Sequence, residues 1–302
     1  MRKYKFYHVD VFTERRFGGN PLAVFPEAQG LTDTEMQAIA LELNLSETTF
    51  VFPAEHPQAS HRVRFFTPVR ELPFAGHPTI GTHYVLARLN RFDLTHNPTR
   101  VYQEVGVGIL PVDIYTENGR ISYISMTQAG PEFLDFIDDL ETLAQGLCCD
   151  IDDLDLNFAT PQVVSTGLPV MIVPVKNLQV LGNLGLNVAP LREICEKHGC
   201  DIAYAFTLET MEKGNSAHAR FFSGHLLFED PATGSAAGAL GAFLAKNGIV
   251  NDQGLFQYII EQGDFLGRPG RIKVIIEYQP DRTEVKVSGK CCPVYEAEMI
   301  LE

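Results

Sequence analysis

The chain has 302 residues, which favours two domains of ordinary size, and its hydrophobic fraction of 45% is typical of a globular protein with a sizeable core. Its 38 acidic residues outnumber its 24 basic ones, and the formal net charge of −14 disfavours both a general nucleic-acid-binding surface and docking on anionic membranes. The first residues, MRKYKFYHVDVF, contain no apolar core of signal-peptide length, and no later apolar run could span a bilayer. We therefore expect a cytoplasmic protein with neither a nucleic-acid nor a membrane partner.

The predicted elements of the first half alternate between strands and helices. KYKFYHVDVF and PLAVF are typical of strands, and LTDTEMQAIALELN is typical of an amphipathic helix, in which Thr32 and Glu35 have the spacing of a capping box. TTFVF and HRVRFF return to strand character. A second helix is predicted to start near Pro78 and to run through TIGTHYVLARL, because proline is favoured in the first turn of a helix. RVYQEV, GILPVDIY and ISYISM are predicted to be the strands that follow.

The six cysteines indicate a reducing compartment. Cys148–Cys149 and Cys291–Cys292 are adjacent pairs, and neighbouring cysteines rarely bridge each other; Cys195 and Cys200 stand alone. The C-x-x-C spacing of zinc and redox motifs is absent from the sequence, and a chain with an ample core does not need a disulfide framework. We expect reduced, structural cysteines and no metal site.

An internal repeat relates the two halves of the chain. RFFTPVRELPFAGHPTIGTHYVLA (64–87) and RFFSGHLLFEDPATGSAAGALGAFLA (220–245) both begin with Arg-Phe-Phe and a hydroxyl residue, cross a turn, reach a glycine before a helix and end in Leu-Ala. Earlier in each half, GNPLAVF (19–25) corresponds to GLPVMIV (167–173). A single duplication, rather than a solenoid of three or more short repeats, explains this order.

The repeat makes the helix starts at Gly76-His77-Pro78 and Gly234-Ser235-Ala236 equivalent. If a pseudo-two-fold axis relates the two lobes, both N-termini converge on one point, where unpaired amides and the positive helix ends favour an anion. Small residues would then let the backbone approach a ligand closely. The alternative interpretation is a tightly packed core helix, whose small residues let neighbouring elements come close.

Five motifs identify a known family. GGNPLAVF, LNLSETTFVF, FFTPVRELPFAGHPTIGT, FEDPATGSAAGAL and the terminal VKVSG stand in this order from near residue 7 to the C-terminus. With these motifs the chain resembles the PhzF-like phenazine-biosynthesis isomerases, which have the diaminopimelate-epimerase fold. The resemblance implies an α+β protein of two pseudo-symmetric lobes, 1–126 and 127–302, each a β-barrel wrapped around a central helix, and the last strand can pack back on the first lobe. It also implies a homodimer without a cofactor.

The resemblance also implies an isomerase that moves a proton within a small carboxylated, unsaturated ring. The acid/base glutamate of the family falls on Glu47, and its other catalytic residues fall on His77, Asp230 and Ser235. The residues expected to hold the ligand are Asn20, Gly76 and Pro78 in the first half and Gly234 and Ala236 in the second.

Two other functions stay open at this point. One is an amino-acid racemase or epimerase on the same fold, a class that uses two facing cysteines at the helix starts; here those positions hold His77 and Ser235. The other is a non-catalytic protein that binds small carboxylates. The presence of Glu47, His77, Asp230 and Ser235 together favours the one-base isomerase over both.

Overall fold

The computed structural model describes residues 1–225, 229–248, 254–279 and 281–302. Residues 226–228, which include the first residue of the FEDPATGSAAGAL motif and part of the 220–245 repeat, lie outside the described residues. The backbone divides into two compact units, one formed by Met1–Thr127 with Ser288–Glu302 and the other by Gln128–Val287. Within the described ranges, no helix is long and apolar enough to cross a membrane.

Strands dominate the secondary structure. In chain order the elements are β1 (Arg2–Val11), β2 (Asn20–Phe25), α1 (Asp33–Leu43), β3 (Glu47–Phe52), β4 (His61–Phe66), β5 (Glu71–Leu72), α2 (Gly76–Arg88), β6 (Thr99–Val105), β7 (Gly108–Glu117), β8 (Arg120–Gln128), β9 (Glu132–Phe136), α3 (Leu140–Gly146), β10 (Gln162–Ser165), β11 (Pro169–Pro174), α4 (Leu178–Asn183), α5 (Val188–Lys197), β12 (Ile202–Thr207), β13 (Ala217–Ser223), α6 (Gly234–Lys246), β14 (Leu255–Gln262), β15 (Gly270–Tyr278), β16 (Thr283–Gly289) and β17 (Cys291–Leu301).

The first unit combines antiparallel and parallel pairs in a fixed order. β1 runs antiparallel to β2, β2 runs parallel to β3, and β3 runs antiparallel to β4. β4 then pairs in parallel with β6, which forms an antiparallel hairpin with β7. The terminal strand β17 runs antiparallel to β1 along its whole length, so the end of the chain completes the unit in which the chain begins.

The second unit repeats this order of pairings. β10 runs antiparallel to β11, β11 parallel to β12, β12 antiparallel to β13, β13 parallel to β14, and β14 antiparallel to β15. Each buried helix, α2 or α6, lies in the chain between the fourth and the fifth strand of its series, β4 and β6 or β13 and β14. The duplication predicted from the sequence is therefore confirmed at the level of strand order and strand direction.

Both predicted helices of the first half are present. Thr32 caps α1, and the reciprocal bonds of the predicted capping box are formed with Glu35. α2 starts at Gly76, two residues before the predicted Pro78, because the backbone is still extended at Ala75 and becomes helical immediately after it. Pro78 is accommodated in the first turn, where its missing N–H would have had no partner inside the helix.

The small residues of α6 are explained in part by close packing. A Cβ on Gly238 would collide with the side-chain amide of Gln128, and one on Gly241 would lie 2.5 Å from Cγ1 of Val274. Gly81 plays the same part in α2, where a Cβ would lie 2.5 Å from Cδ2 of Leu22. The interpretation of a tightly packed core helix thus holds for the middle of both helices and leaves their N-termini to be explained separately.

A pair of buried histidines lies between β4 and α2. The ring centroids of His61 and His83 are 4.9 Å apart, and Phe92 packs against both rings. His83 uses Nδ1 to contact the carbonyl oxygen of Thr79, while neither ring nitrogen of His61 has a hydrogen-bond partner among the described residues. Burial lowers the pKa of His61 to about 4 and that of His83 to about 3, so both rings are neutral at pH 7.

These histidines should make the protein sensitive to acid. The unfolded chain binds protons at histidines below pH 6.5, whereas folded His61 and His83 resist protonation until about pH 4 and 3, so stability is lost as the pH falls from 6.5. Each ring contributes at most about 1.4 kcal/mol per pH unit. We expect His61→Phe to reduce the loss of unfolding free energy between pH 6 and 5, measured by urea titration, and the exposed His96→Gln to leave it unchanged. Equal pH dependence in the wild type and His61→Phe would contradict this expectation.

Candidate functional site

Three of the sequence-predicted residues meet in the first unit. Asn20 is the first residue of β2, Glu47 is the first residue of β3, and His77 is the second residue of α2. Because β2 and β3 are parallel and Leu22 pairs with Glu47, both strands begin at the same edge of the sheet. His77 extends to both of them: its Nε2 lies 3.4 Å from Oε2 of Glu47, and its Nδ1 lies 3.2 Å from Nδ2 of Asn20.

Burial determines the charge of this group. His77 is 5% exposed, Asn20 is fully buried, and the side chain of Glu47 retains 18% exposure. Desolvation lowers the pKa of His77 to about 3, against a smaller raising effect of the Pro21 carbonyl. His77 is therefore a neutral imidazole at cellular pH, and Glu47 is the member of the group that combines an ionisable side chain with access to solvent.

The start of α2 gives this group a set of backbone donors. Ala75 precedes the helix without a side-chain cap, and the first turn contains no acidic residue. Thr233 likewise precedes α6 without a side-chain cap on its amides, and the first turn of α6 also lacks acidic residues. Amides at a helix start attract anions through their N–H groups and through the helix dipole. Gly76 and Pro78 lie in the first turn of α2, and Gly234 and Ala236 lie in the first turn of α6; that they bind a ligand stays a prediction.

The remaining predicted residues lie in the second unit. Asp230, which is 8% exposed, accepts a hydrogen bond at Oδ2 from the hydroxyl of Thr233, over 2.5 Å between the oxygens. Ser235 is the second residue of α6 and is partly buried, at the position that corresponds to His77 in α2. The predicted residues therefore form two groups, one within each unit.

Gln262 organises the second group, and sequence reasoning missed it. Its Oε1 accepts hydrogen bonds from the Tyr204 hydroxyl at 2.7 Å and from the Thr233 amide at 2.8 Å. Its Nε2 donates to the Asp230 carbonyl at 2.7 Å and to the Thr233 hydroxyl at 3.1 Å. This buried amide fixes both ends of the segment 230–233 that leads into α6. A glutamine at the end of β14 carries no local signal of this role in the sequence, because its partners are 29 to 58 residues away.

A glycine and a second glutamine complete the support of this segment. Gly263, the residue after β14, has φ of +87°, and a Cβ there would lie 2.5 Å from the Pro231 carbonyl oxygen. The backbone at this glycine therefore packs closely against the segment 230–233. Gln128 donates from Nε2 to the Gly234 carbonyl at 3.1 Å and accepts from the Thr166 hydroxyl at 2.8 Å. Gln262 thus bonds to the segment that precedes α6 and Gln128 bonds to the first residue of the helix, so the two glutamines together fix the start of α6.

The two groups were compared with the side-chain clusters that bind metal ions. Among the residues that the structure describes, no three or more His, Cys, Asp or Glu side chains are grouped to hold a metal ion. The chemistry of the two groups is that of a carboxylate beside a neutral imidazole in one unit and of a carboxylate beside hydroxyls and amides in the other.

Known proteins resemble the chain over its whole length. The family model described as phenazine biosynthesis-like protein, PhzC-PhzF, matches residues 9–297. An uncharacterized isomerase of Clostridium acetobutylicum is 38% identical, with 100% of this chain and 99% of the relative covered. The trans-2,3-dihydro-3-hydroxyanthranilate isomerase of Pseudomonas chlororaphis is 33% identical over 93% of this chain and 94% of its own length.

Solved structures resemble the fold. The phenazine biosynthesis protein of the PhzF family from Bacillus anthracis superposes with a TM-score of 0.91 at 32% identity, with both chains covered completely. A hydroxyproline epimerase from Agrobacterium vitis superposes with a TM-score of 0.61 at 11% identity, with 98% of this chain and 92% of the other covered, and so shares the fold alone. These likenesses confirm the α+β fold class and the family resemblance predicted from the sequence.

The role of Gln262 can be tested without a substrate. Gln262→Leu removes both acceptor and donors at similar volume and leaves the buried Tyr204 hydroxyl and the Thr233 amide without their partner. We expect it to lower the free energy of unfolding by at least about 2 kcal/mol and to speed hydrogen exchange at the Thr233 amide. The matched control is Gln257→Leu, which lies exposed on the same strand. Unchanged protection of Thr233 in Gln262→Leu would mean that the segment is held by other contacts.

Proposed function

The chain belongs to the PhzC-PhzF family of phenazine biosynthesis-like proteins and is an isomerase, and on this premise we propose that it moves a proton within a small carboxylated, unsaturated ring, with Glu47 as acid and base. The observation that carries the proposal is the contact of Glu47 with a buried, neutral His77. A carboxylate that lies beside a neutral imidazole and keeps partial access to solvent can receive a substrate proton and return it.

The proposed reaction needs one base. Glu47 takes a proton from a ring carbon, the electron pair of that C–H bond shifts the double bond along the ring, and protonated Glu47 returns the proton to a second carbon on the same face. Neither a net oxidation nor a co-reactant is required, because every atom and electron stays in the substrate. His77, which contacts Asn20 at Nδ1, has its Nε2 3.4 Å from Oε2 of Glu47, and we assign it the role of positioning this carboxylate.

The other predicted residues have supporting roles in this proposal. We assign the carboxylate of the substrate to backbone amides at a helix start, which favours anions without requiring a cation. For Asp230 and Ser235 we keep the roles that the family resemblance implies, and the rigid placement of Asp230 by Thr233 and Gln262 suits a positioning role. No cofactor is needed for this chemistry.

The name of one relative supports the substrate class that we propose. The relative from Pseudomonas chlororaphis is named for trans-2,3-dihydro-3-hydroxyanthranilate, a dihydro ring with a carboxylate. We propose a substrate of this class for the present chain. We also propose that the protein is cytoplasmic, as its composition favours, and a homodimer, as the family resemblance implies.

The first test of this function is Glu47→Gln. The amide keeps the size of the side chain and removes its basicity, so turnover of trans-2,3-dihydro-3-hydroxyanthranilate, or of the ring found by screening cell extract in D2O, should fall about 10²–10⁴-fold or more. Solvent deuterium incorporation, read by mass spectrometry, should fall by the same factor, while Glu42→Gln on the exposed face of α1 should behave as wild type. Near-normal turnover in a folded Glu47→Gln protein would assign the proton transfer to another residue. Incorporation of deuterium with inversion at a single carbon would favour the racemase instead.

The second test uses the pH dependence of the reaction. Because burial lowers the pKa of His77 to about 3, protonation of this ring should not reduce kcat/KM anywhere above about pH 5. We expect the pH profiles of wild type and His77→Gln to have the same shape between pH 5 and 9, with a lower plateau in the variant. A limb near pH 6.5 that is present in the wild type and absent from His77→Gln would show that His77 titrates as an exposed imidazole.

A further inference from the structure

A groove of about 420 Å³ lies in the first unit, where β1, the end of α2 and residues 293–296 of β17 meet. Its charged lining residues are Lys5, Arg16, Arg88 and Glu296, so three cations stand against one carboxylate. The whole chain carries a formal net charge of −14, which makes a local excess of positive charge unusual for this protein. Its volume is that of a small-molecule site.

Two of these cations, Arg16 and Arg88, can bind an anion. Arg16 donates from Nε to the Pro293 carbonyl at 3.1 Å, and this bond fixes the guanidinium while leaving its terminal amino groups for another partner. Arg88 lies in the last turn of α2 and bonds to the side chain of Tyr84. In the described part of the chain, neither arginine pairs with a carboxylate. Lys5 differs, since it forms an exposed ion pair with Glu296 at the rim.

Both guanidinium-bearing residues, Arg16 and Arg88, line this one groove. Each also lowers the pKa of the Cys292 thiol, whereas burial, the largest effect, and the carboxylate of Asp10 raise it. One guanidinium comes from the segment after β1 and the other from the end of α2. Both can donate hydrogen bonds to the oxygens of one carboxylate or phosphate. The negative end of α2 works against an anion here, and Arg88 offsets it because it stands in the last turn.

An aromatic side chain lines the groove beside the arginines. Tyr295 is 50% exposed, and its ring stacks on His8 with centroids 4.7 Å apart and an interplanar angle of 21°. Phe6 packs against the same ring at 6.3 Å in an edge arrangement. The ring is thus held in place by two neighbours, and its exposed surface offers a flat apolar platform.

We propose that this groove binds a small molecule in which a carboxylate or phosphate is attached to a flat ring, with Arg16 and Arg88 on the oxyanion and Tyr295 against the ring. The site is separate from the Glu47–His77 group. His77 lies at the first turn of α2 and Arg88 at the last, which places them roughly 16 Å apart along the helix axis. The segment that carries Arg16 leads directly to Asn20, so a ligand held there restrains the approach to β2.

Calorimetric titration of the full chain tests the proposal with four probes: phenyl phosphate, benzoate, inorganic phosphate and phenol. We expect phenyl phosphate or benzoate to bind saturably at low salt in the millimolar range or tighter, and the tighter of the two identifies the oxyanion. Inorganic phosphate should bind more weakly and phenol not at all. Added salt should weaken binding because the oxyanion contacts are screened.

Variants assign the binding to the groove. Arg16→Gln and Arg88→Gln should each weaken the tighter probe about ten- to hundredfold, as expected for the loss of a charge-assisted hydrogen bond. Tyr295→Leu should weaken the ring-bearing probes without affecting inorganic phosphate. The matched control is Arg91→Gln, an exposed arginine just beyond α2 that pairs with Glu27.

The outcomes separate this site from the proposed active site. Binding that survives Glu47→Gln and His77→Gln but falls in the two arginine variants supports the groove, whether or not the proposed isomerisation is found. Loss of binding in His77→Gln with full retention in both arginine variants would overturn the proposal, as would the absence of saturable binding by either ring-bearing probe. Equal affinity for inorganic phosphate and phenyl phosphate would overturn the role of Tyr295.

Discussion

The parallel pairing of β2 with β3 is the constraint on which the candidate site depends. It brings the first residue of each strand, Asn20 and Glu47, to one edge of the sheet, where the start of α2 delivers His77. A shift of one residue in this pairing would turn Glu47, which keeps partial exposure, toward the opposite face of a strand whose next four residues are all buried. Burial of both faces of β3 therefore fixes the position of the carboxylate as well as the core.

The second unit uses the same strand order but secures its helix start differently. In the first unit the helix contributes an imidazole that contacts two strand residues directly. In the second, the segment before α6 is tied to the end of β14 by the amide of Gln262, and Asp230 is held through Thr233. Buried amides that use both their donors and their acceptor specify one geometry, because any displacement leaves a polar group unpaired.

The sequence contains the duplication, the capping box of α1 and the family motifs, since each of these is a local pattern. It does not contain the partners of Gln262, because these contacts join residues that only the fold brings together. The small residues of α6 were open to two interpretations for the same reason: whether Gly238 faces a ligand or the side chain of Gln128 depends on a neighbour that is distant in sequence. The start of α2 at Gly76 rather than near Pro78 depends on the backbone at Ala75, which residue preferences determine only weakly.

The burial of His77 has a consequence for the proposed chemistry. An imidazolium beside Glu47 would form a buried ion pair, whose attraction must offset the desolvation of two charges and would hold the carboxylate in its anionic form. Desolvation instead keeps His77 neutral at cellular pH. A neutral neighbour can hydrogen-bond to Glu47 without fixing its charge, so the protonated carboxyl that must exist between removal and return of the substrate proton is not penalised by the loss of an ion pair. A single base that has to be carboxylate in one step and carboxylic acid in the next is best served by such a neighbour.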